Sequence, residues 1–391
     1  MRRILGALLL ALGVAGSTPA TTAAKEAPAD LGSVLAPLAA KHDVPALAAA
    51  VITSKGVIAQ GVTGVRKRGD ETKATLDDLW HLGSCGKAMT ATLIGRLVEQ
   101  KKLRFEMTLP EAFPDLAKTM HAGWRKVTLA QLLSNRGGMP ADLRKDGLWM
   151  RLYAHTGTPR EARRLLTATV LSWAPTHKPG TDFEYSNAGF AVAGHAAECL
   201  LDTAYETLLV REVFKPLGAT SVGFGAPGAG AKTTTQPWGH AFMGTGRPAV
   251  DPAQVAADNP PAITPAGRMH MTLADWARFV HMHLLGARSN KSELPLDHAT
   301  LRKLQTPDEG QRYAMGWVTF ERPWAGGTAI MHNGSNTMWY ALMWIAPKRD
   351  VAFIAVCNQG GEPGNVAADT AIGALIAWHQ KQTTARKPKK D

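Results

Sequence analysis

Cysteine is scarce in this 391-residue chain: Cys85, Cys199 and Cys357 are scattered and odd in number. No CxxC pair and no even framework can be drawn, which excludes a disulfide-stapled fold and a thiolate zinc site. Each reads by default as a small buried hydrophobe. Cys85 stands beside a candidate nucleophile but on a different helix face, and is a minor nucleophile alternative. The metallo-hydrolase patterns His-Glu-x-x-His and His-x-His-x-Asp-His are missing. His281-Met282-His283 falls in a helical stretch, where i and i+2 diverge, so no metal site is expected. Gly-x-Ser-x-Gly is missing too, because Leu82 stands where its first glycine would be. Beyond the first residues no stretch is long and apolar enough to cross a bilayer. Acid is in deficit, 32 Asp and Glu against 44 Lys and Arg, for a formal charge of +12. No nucleic-acid-binding motif accompanies that charge. A positive surface would suit an anionic cell envelope or carboxylate-bearing substrates.

The ends of the chain have their own character. Met1-Arg2-Arg3 precedes an apolar run from Ile4 to about Gly16, then the small residues Ser17 to Ala24. That order reads as a cleavable secretory signal, residues 1–24, and implies a periplasmic or secreted protein. The basic run 381–391 reads as a disordered tail. Between them lies one domain, 25–380. At 45% hydrophobic and 19% charged it is ordinary globular protein. Its length calls for two intimately packed lobes.

Periodicity divides that domain. Leu31 to His42 fits a short amphipathic helix. Pro45 to Thr53 and Val57 to Val65 read as a hairpin across Ser54-Lys55-Gly56. From Ser84 to about residue 290 the pattern is helices and loops, including a helix after Tyr185-Ser186-Asn187. Residues 223–261 read as a long surface loop. Thr272 should cap a helix with Asp275 at its third position. The last hundred residues switch to period two, with strands at 313–320, 328–332, 339–345 and 351–358, and a closing helix at 365–380. Strands at both ends and helices between them imply an α+β fold. One antiparallel sheet is built from both chain ends and flanked by helices, with a helical lobe inserted at about 84–290.

The chemistry concentrates in three short stretches. In Ser84-Cys85-Gly86-Lys87 the serine and lysine fall one helical turn apart and can touch. A serine hydroxyl needs a base, and a lysine with a lowered pKa can supply one. Ser-x-x-Lys also arises by chance in chains of this length. In Tyr185-Ser186-Asn187 alternate side chains share a side, so Tyr185 and Asn187 can both face a cleft. The plainer alternative is a core-edge tyrosine and a helix-capping asparagine. His332-Asn333-Gly334-Ser335 ends a strand. There Gly334 permits close backbone approach, and the Ser335 N–H can join the Ser84 N–H as an oxyanion donor. His332 can bind a substrate carboxylate, move protons, or simply be satisfied in a turn. His155-Thr156-Gly157 repeats the His-x-Gly pattern but lies between helical segments and is set aside.

In this order, with Tyr185 101 residues after Ser84 and His332 147 after Tyr185, the three stretches resemble the motifs of the serine β-lactamase and penicillin-binding-protein superfamily. The branch is that of class C β-lactamases, D-alanyl-D-alanine carboxypeptidases and related esterases. Flanking segments are similar as well. Thr128 to Pro140 resembles Leu-Leu-x-His-x-Ser-Gly-Leu-Pro, Pro179-Gly180-Thr181 a Pro-Gly segment, and Ala266-Gly267-Arg268 an Ala-Gly-Gly segment. The resemblance covers roughly residues 33 to 380. It implies a serine hydrolase with an acyl-enzyme on Ser84 and with Lys87 and Tyr185 sharing proton transfer. Asn187 would position Lys87 and the substrate, the Ser84 and Ser335 N–H groups would hold the oxyanion, and no metal or organic cofactor is needed. The substrate would be a small molecule or peptide, with cell-wall-derived peptides among the candidates. Oligomeric state is left open, as is whether Lys87 or Tyr185 is the principal base.

Three departures bear on substrate. His332-Asn333-Gly334 replaces the Lys-Thr-Gly usual in class C β-lactamases and is similar to the His-x-Gly of some D-amino-acid peptidases and esterases. Asn135-Arg136-Gly137-Gly138 replaces His-x-Ser-Gly and should alter loop packing. Met338 stands near a usual glycine and could narrow the pocket. D-amino-acid peptide or amide hydrolysis and carboxylic ester hydrolysis are therefore expected ahead of class C-like β-lactamase activity. A non-catalytic penicillin-recognising sensor is the alternative outside enzymology.

Overall fold

A computed structural model describes residues 27–231, 233–288 and 296–385. The expected signal, 1–24, lies outside the described residues, as do the last six of the expected tail. The closing helix, Gly361–Ala385, runs five residues into that tail.

Both chain ends contribute to one seven-stranded sheet. Its order is Ala29–Asp30, Gly56–Gly64, Ala46–Thr53, Val351–Cys357, Tyr340–Ala346, Gly327–Gly334 and Val318–Arg322. Neighbours are antiparallel except the first pair, where Ala29 and Asp30 run parallel to Ala59 and Gln60. The central strands read as unbroken apolar runs because both their faces are covered. Ala46, Ala48, Ala50 and Ile52 face the core shared with the helical lobe. Leu47, Ala49 and Val51 face a second core. That second core holds Leu31 and Leu35 at the helix Gly32–Lys41 and Ala367, Ala368, Ala371 and Leu375 of the closing helix. Small residues on the closing helix let it lie close against the strands.

The helical lobe carries a feature that periodicity does not reveal. Leu79–His81, Met269–Thr272 and Gly223–Phe224 form a small three-stranded sheet. It delivers the chain to Ser84 from one side and from residue 272 into the helix Leu273–Arg288 on the other. These strands are two to four residues long, too short to show alternation. Thr272 does cap the next helix, accepting from Asp275 N–H at 3.3 Å. The Asp275 carboxylate does not return the bond. It turns to the Thr220 and Ser221 N–H groups instead, 2.8 Å from each.

The strand expected at 313–320 begins at Val318; Tyr313 makes only an isolated bridge to it. This shortening frees Tyr313 to turn inward.

Candidate active site

Gly83–Cys85 is a single tight turn that runs into the helix Gly86–Glu99. Gly83 has φ +48°, a conformation that a side chain would strain. A Cβ added to Gly83 would lie 2.3 Å from Ser335 N. One added to Gly334 would lie 2.1 Å from Leu82 O and 2.5 Å from Ser84 N. The two glycines thus let the strand end and the turn meet backbone to backbone. The Ser84 and Ser335 N–H groups are carried to the same spot.

Lys87 follows one turn on and is fully buried. Its Nζ lies 3.0 Å from Ser84 Oγ, 2.7 Å from Asn187 Oδ1 and 2.8 Å from the Ala266 carbonyl. Burial pulls its ammonium down to about 7. A neutral amine has two hydrogens and one lone pair. The amide and backbone oxygens can only accept, so they take the hydrogens. The lone pair is left facing the Ser84 hydroxyl.

Tyr185 is held over this lysine, with its ring centroid 4.7 Å from Nζ. Burial pushes its hydroxyl upward from the ordinary phenol range, while contact with Ser84 pulls the other way. The residue is 37% exposed, so solvent moderates that shift. The next residue, Ser186, caps the helix Asn187–Leu201 by accepting from the Ala188 and Gly189 N–H groups. Capping by Ser186 releases the Asn187 amide for Lys87.

Two further groups organise the tyrosine. Asn135, buried at φ +58°, accepts from Ser186 N–H through Oδ1 at 3.1 Å and from Glu184 N–H through its carbonyl at 2.9 Å. Arg136 reaches Gln311 and the Thr181 carbonyl, each at 2.8 Å. The Asn135 departure therefore clamps both sides of Tyr185, while Arg136 ties the preceding loop to Gln311. Tyr313 packs edge-on against the Tyr185 ring, with centroids 6.2 Å apart.

His332 is buried, and both its nitrogens are occupied. Nδ1 lies 2.5 Å from Asn333 O, so it carries the hydrogen. Nε2, 3.2 Å from the Tyr313 hydroxyl, is then the acceptor. Burial, and next the nearby Lys87 charge, pull the imidazole down to about 3. Asn333 points away to Tyr340 Oη at 2.6 Å.

Cys85 is buried against the His332 and Ala341 carbonyls, and burial pushes its thiol up; this leaves it inert as a nucleophile. Met338 is buried in the main core beside Gly239. His155-Thr156-Gly157 lies in the loop between the helices Leu148–Tyr153 and Pro159–Ser172, off the sheet. No cluster of metal-binding side chains occurs among the described residues.

The structure brings Ser84, Lys87, Tyr185, Asn187, His332, Gly334 and Ser335 to one place. Sequence reasoning missed Tyr313 and Asp258, a buried carboxylate behind the turn. The Asn135 departure was seen, but not its hold on Tyr185.

The family pattern described as Beta-lactamase matches residues 31–377. The chain belongs to the β-lactamase family. It is 25% identical over 333 residues to Penicillin-binding protein 4 of Amycolatopsis lactamdurans, covering 83% of each chain. Protein flp of Staphylococcus aureus (strain N315) is 20% identical over 82% of this chain, which spans 61% of that longer protein. Among solved structures, D-alanine carboxypeptidase AmpC from Burkholderia cenocepacia superposes with a TM-score of 0.66 at 20% identity, over 87% of this chain and 96% of that one. Membership in this family supports serine-hydrolase-like activity. No helix of the described residues is long and apolar enough to cross a membrane.

Proposed function

We propose that this chain is an exported serine hydrolase that forms an acyl-enzyme on Ser84 and hydrolyses an amide or ester bond. The observation that carries the reading is the buried Lys87 amine, 3.0 Å from Ser84 Oγ, with its hydrogens committed elsewhere. Neutral Lys87 takes the Ser84 proton as Oγ attacks the carbonyl carbon. The N–H groups of Ser84 and Ser335 hold the oxyanion. Tyr185 relays the proton from Lys87 to the leaving nitrogen or oxygen, and the bond to it breaks. Water then attacks the acyl-enzyme by the reverse proton route and releases the acid. In this scheme Lys87 is the principal base, because burial lowers its pKa and raises that of Tyr185.

His332 serves as a neutral support whose nitrogens are both engaged within the protein. That disfavours a cationic grip on a substrate carboxylate at this position. It supports D-amino-acid amides and carboxylic esters over β-lactams. Initial rates on a D-alanine anilide, a short aryl ester and a chromogenic cephalosporin test this, with Ser84→Ala alongside. Turnover of anilide or ester that vanishes in Ser84→Ala is expected. Fast cephalosporin hydrolysis would overturn the substrate ranking, and full turnover by Ser84→Ala would overturn the mechanism.

A further inference from the structure

Behind the nucleophile turn lies a buried polar cluster that the scheme above does not use. Asp258 is 4% exposed and follows the turn Val255–Ala257. Its Oδ2 lies 3.0 Å from His81 Nε2. Its Oδ1 accepts from Asn259 N–H at 2.8 Å and from Asn336 Nδ2 at 3.1 Å. Arg268 Nε stands 3.4 Å from Oδ2. Burial pushes the carboxyl up, yet His81, Arg268 and the Asn336 amide together hold it below its ordinary range.

Three of these neighbours, His81, Asn336 and Arg268, are attached to different parts of the site. His81 is fully buried, and its Nδ1 accepts from Gly83 N–H at 3.2 Å, one residue before Ser84. Asn336 Oδ1 accepts from Met338 N–H at 3.2 Å, closing the turn that begins at Ser335. Arg268 directly follows Ala266-Gly267, whose Ala266 carbonyl holds Lys87.

We propose that Asp258 is a positioning residue that sets both oxyanion donors, the Ser84 N–H through His81 and the Ser335 N–H through Asn336. The argument is one of donors and acceptors. Gly83 N–H can only donate, so His81 Nδ1 is a bare lone pair and the ring hydrogen sits on Nε2. A carboxylate accepts from His81, Asn336 and Asn259 at once. An asparagine cannot, because its NH2 must face one of those donors. If its amide oxygen keeps Asn259 and Asn336, its NH2 meets His81 Nε2 and drives the ring to the other tautomer. Nδ1–H then opposes Gly83 N–H, and the turn carrying Ser84 moves.

The inference rests on the Ser84 reading and is tested with an aryl fluorophosphonate, whose reaction uses the same oxyanion donors. The second-order labelling rate would be measured per folded molecule in the full chain. Asp258→Asn should slow it roughly 10- to 100-fold, since small displacements at a reacting centre cost that much. On a turned-over ester the loss should fall on kcat rather than KM. His81→Gln, which can accept from Gly83 and donate to Asp258, should stay within about threefold of the parent. His81→Phe should fall with Asp258→Asn. If Asp258→Asn does not fold, the His81→Gln and His81→Phe pair decides alone, and equal rates in the two overturn the proposal. A parental rate in Asp258→Asn overturns it as well. Ser84→Ala separates the two claims. Labelling of that variant at the parental rate would sink the nucleophile assignment. An unlabelled Ser84→Ala beside an unimpaired Asp258→Asn would sink this inference only.

Discussion

A lysine can act as a base near neutral pH only if its surroundings refuse the charge, and Lys87 has such surroundings. Burial brings it to about 7, and two carbonyl-type acceptors fix its hydrogens. In the proposed scheme its neutral form is the active one. The kcat/KM should therefore rise with pH through about 7 with unit slope and level off above it, as a pH–rate profile on a neutral ester would show. A profile flat from pH 5.5 to 8.5 would remove Lys87 as the base. Lys87→Met keeps the stem and deletes the amine, and should cost about 10²- to 10⁴-fold in kcat. Tyr313→Phe removes the hydroxyl that bonds His332. The expected loss in kcat is about 2- to 12-fold, the worth of one neutral hydrogen bond. At this scale the sequence was partly legible. Ser84 and Lys87 touch because three residues make nearly one helical turn, so spacing alone announced them. Tyr313 and Asp258 reach the site through folded loops, and no local spacing encodes that.

The decisive contact between elements is that of the turn Gly83–Cys85 with the end of the strand Gly327–Gly334. It depends on the absence of two side chains. Gly334→Ala would drive a methyl group to 2.1 Å from the Leu82 carbonyl, which cannot yield without moving Ser84. Activity per folded molecule should drop at least about 100-fold. A variant with parental kcat and an unchanged thermal midpoint would contradict the close packing described. Strands of seven to nine residues and the long helices were legible because an apolar run or a periodic pattern persists over their whole length. The small sheet of Leu79–His81, Met269–Thr272 and Gly223–Phe224 was not. The stretch read as a surface loop, 223–261, illustrates the same limit. Most of it is irregular, yet Asp258 within it is buried, and one acid in a Gly- and Pro-rich run carries no sign of its tertiary partners.

Taken as a whole, the molecule is a sheet with a core on each face, and several titratable groups are sealed into the structure. His240, His270, His283 and His332 are each pulled down by burial, to about 4, 4, 3 and 3 from an ordinary 6.5. Each stays neutral in the folded chain while its unfolded counterpart gains a proton below pH 6.5. Stability should therefore be unaffected by them above pH 6.5 and fall steadily from there toward pH 4. Each can contribute up to about 2 to 3 kcal/mol between pH 6.5 and 4.5. The urea midpoint should drop sharply between pH 7 and pH 5, and an unchanged midpoint would show that these rings are not sealed from protons. The proposed chemistry rests on a covalent bond formed by Ser84. Intact mass and peptide mapping after exposure to a fluorophosphonate test it most directly. The account predicts a single adduct, mapped to Ser84 and abolished in Ser84→Ala. An adduct on another residue, or one that persists in Ser84→Ala, would contradict it.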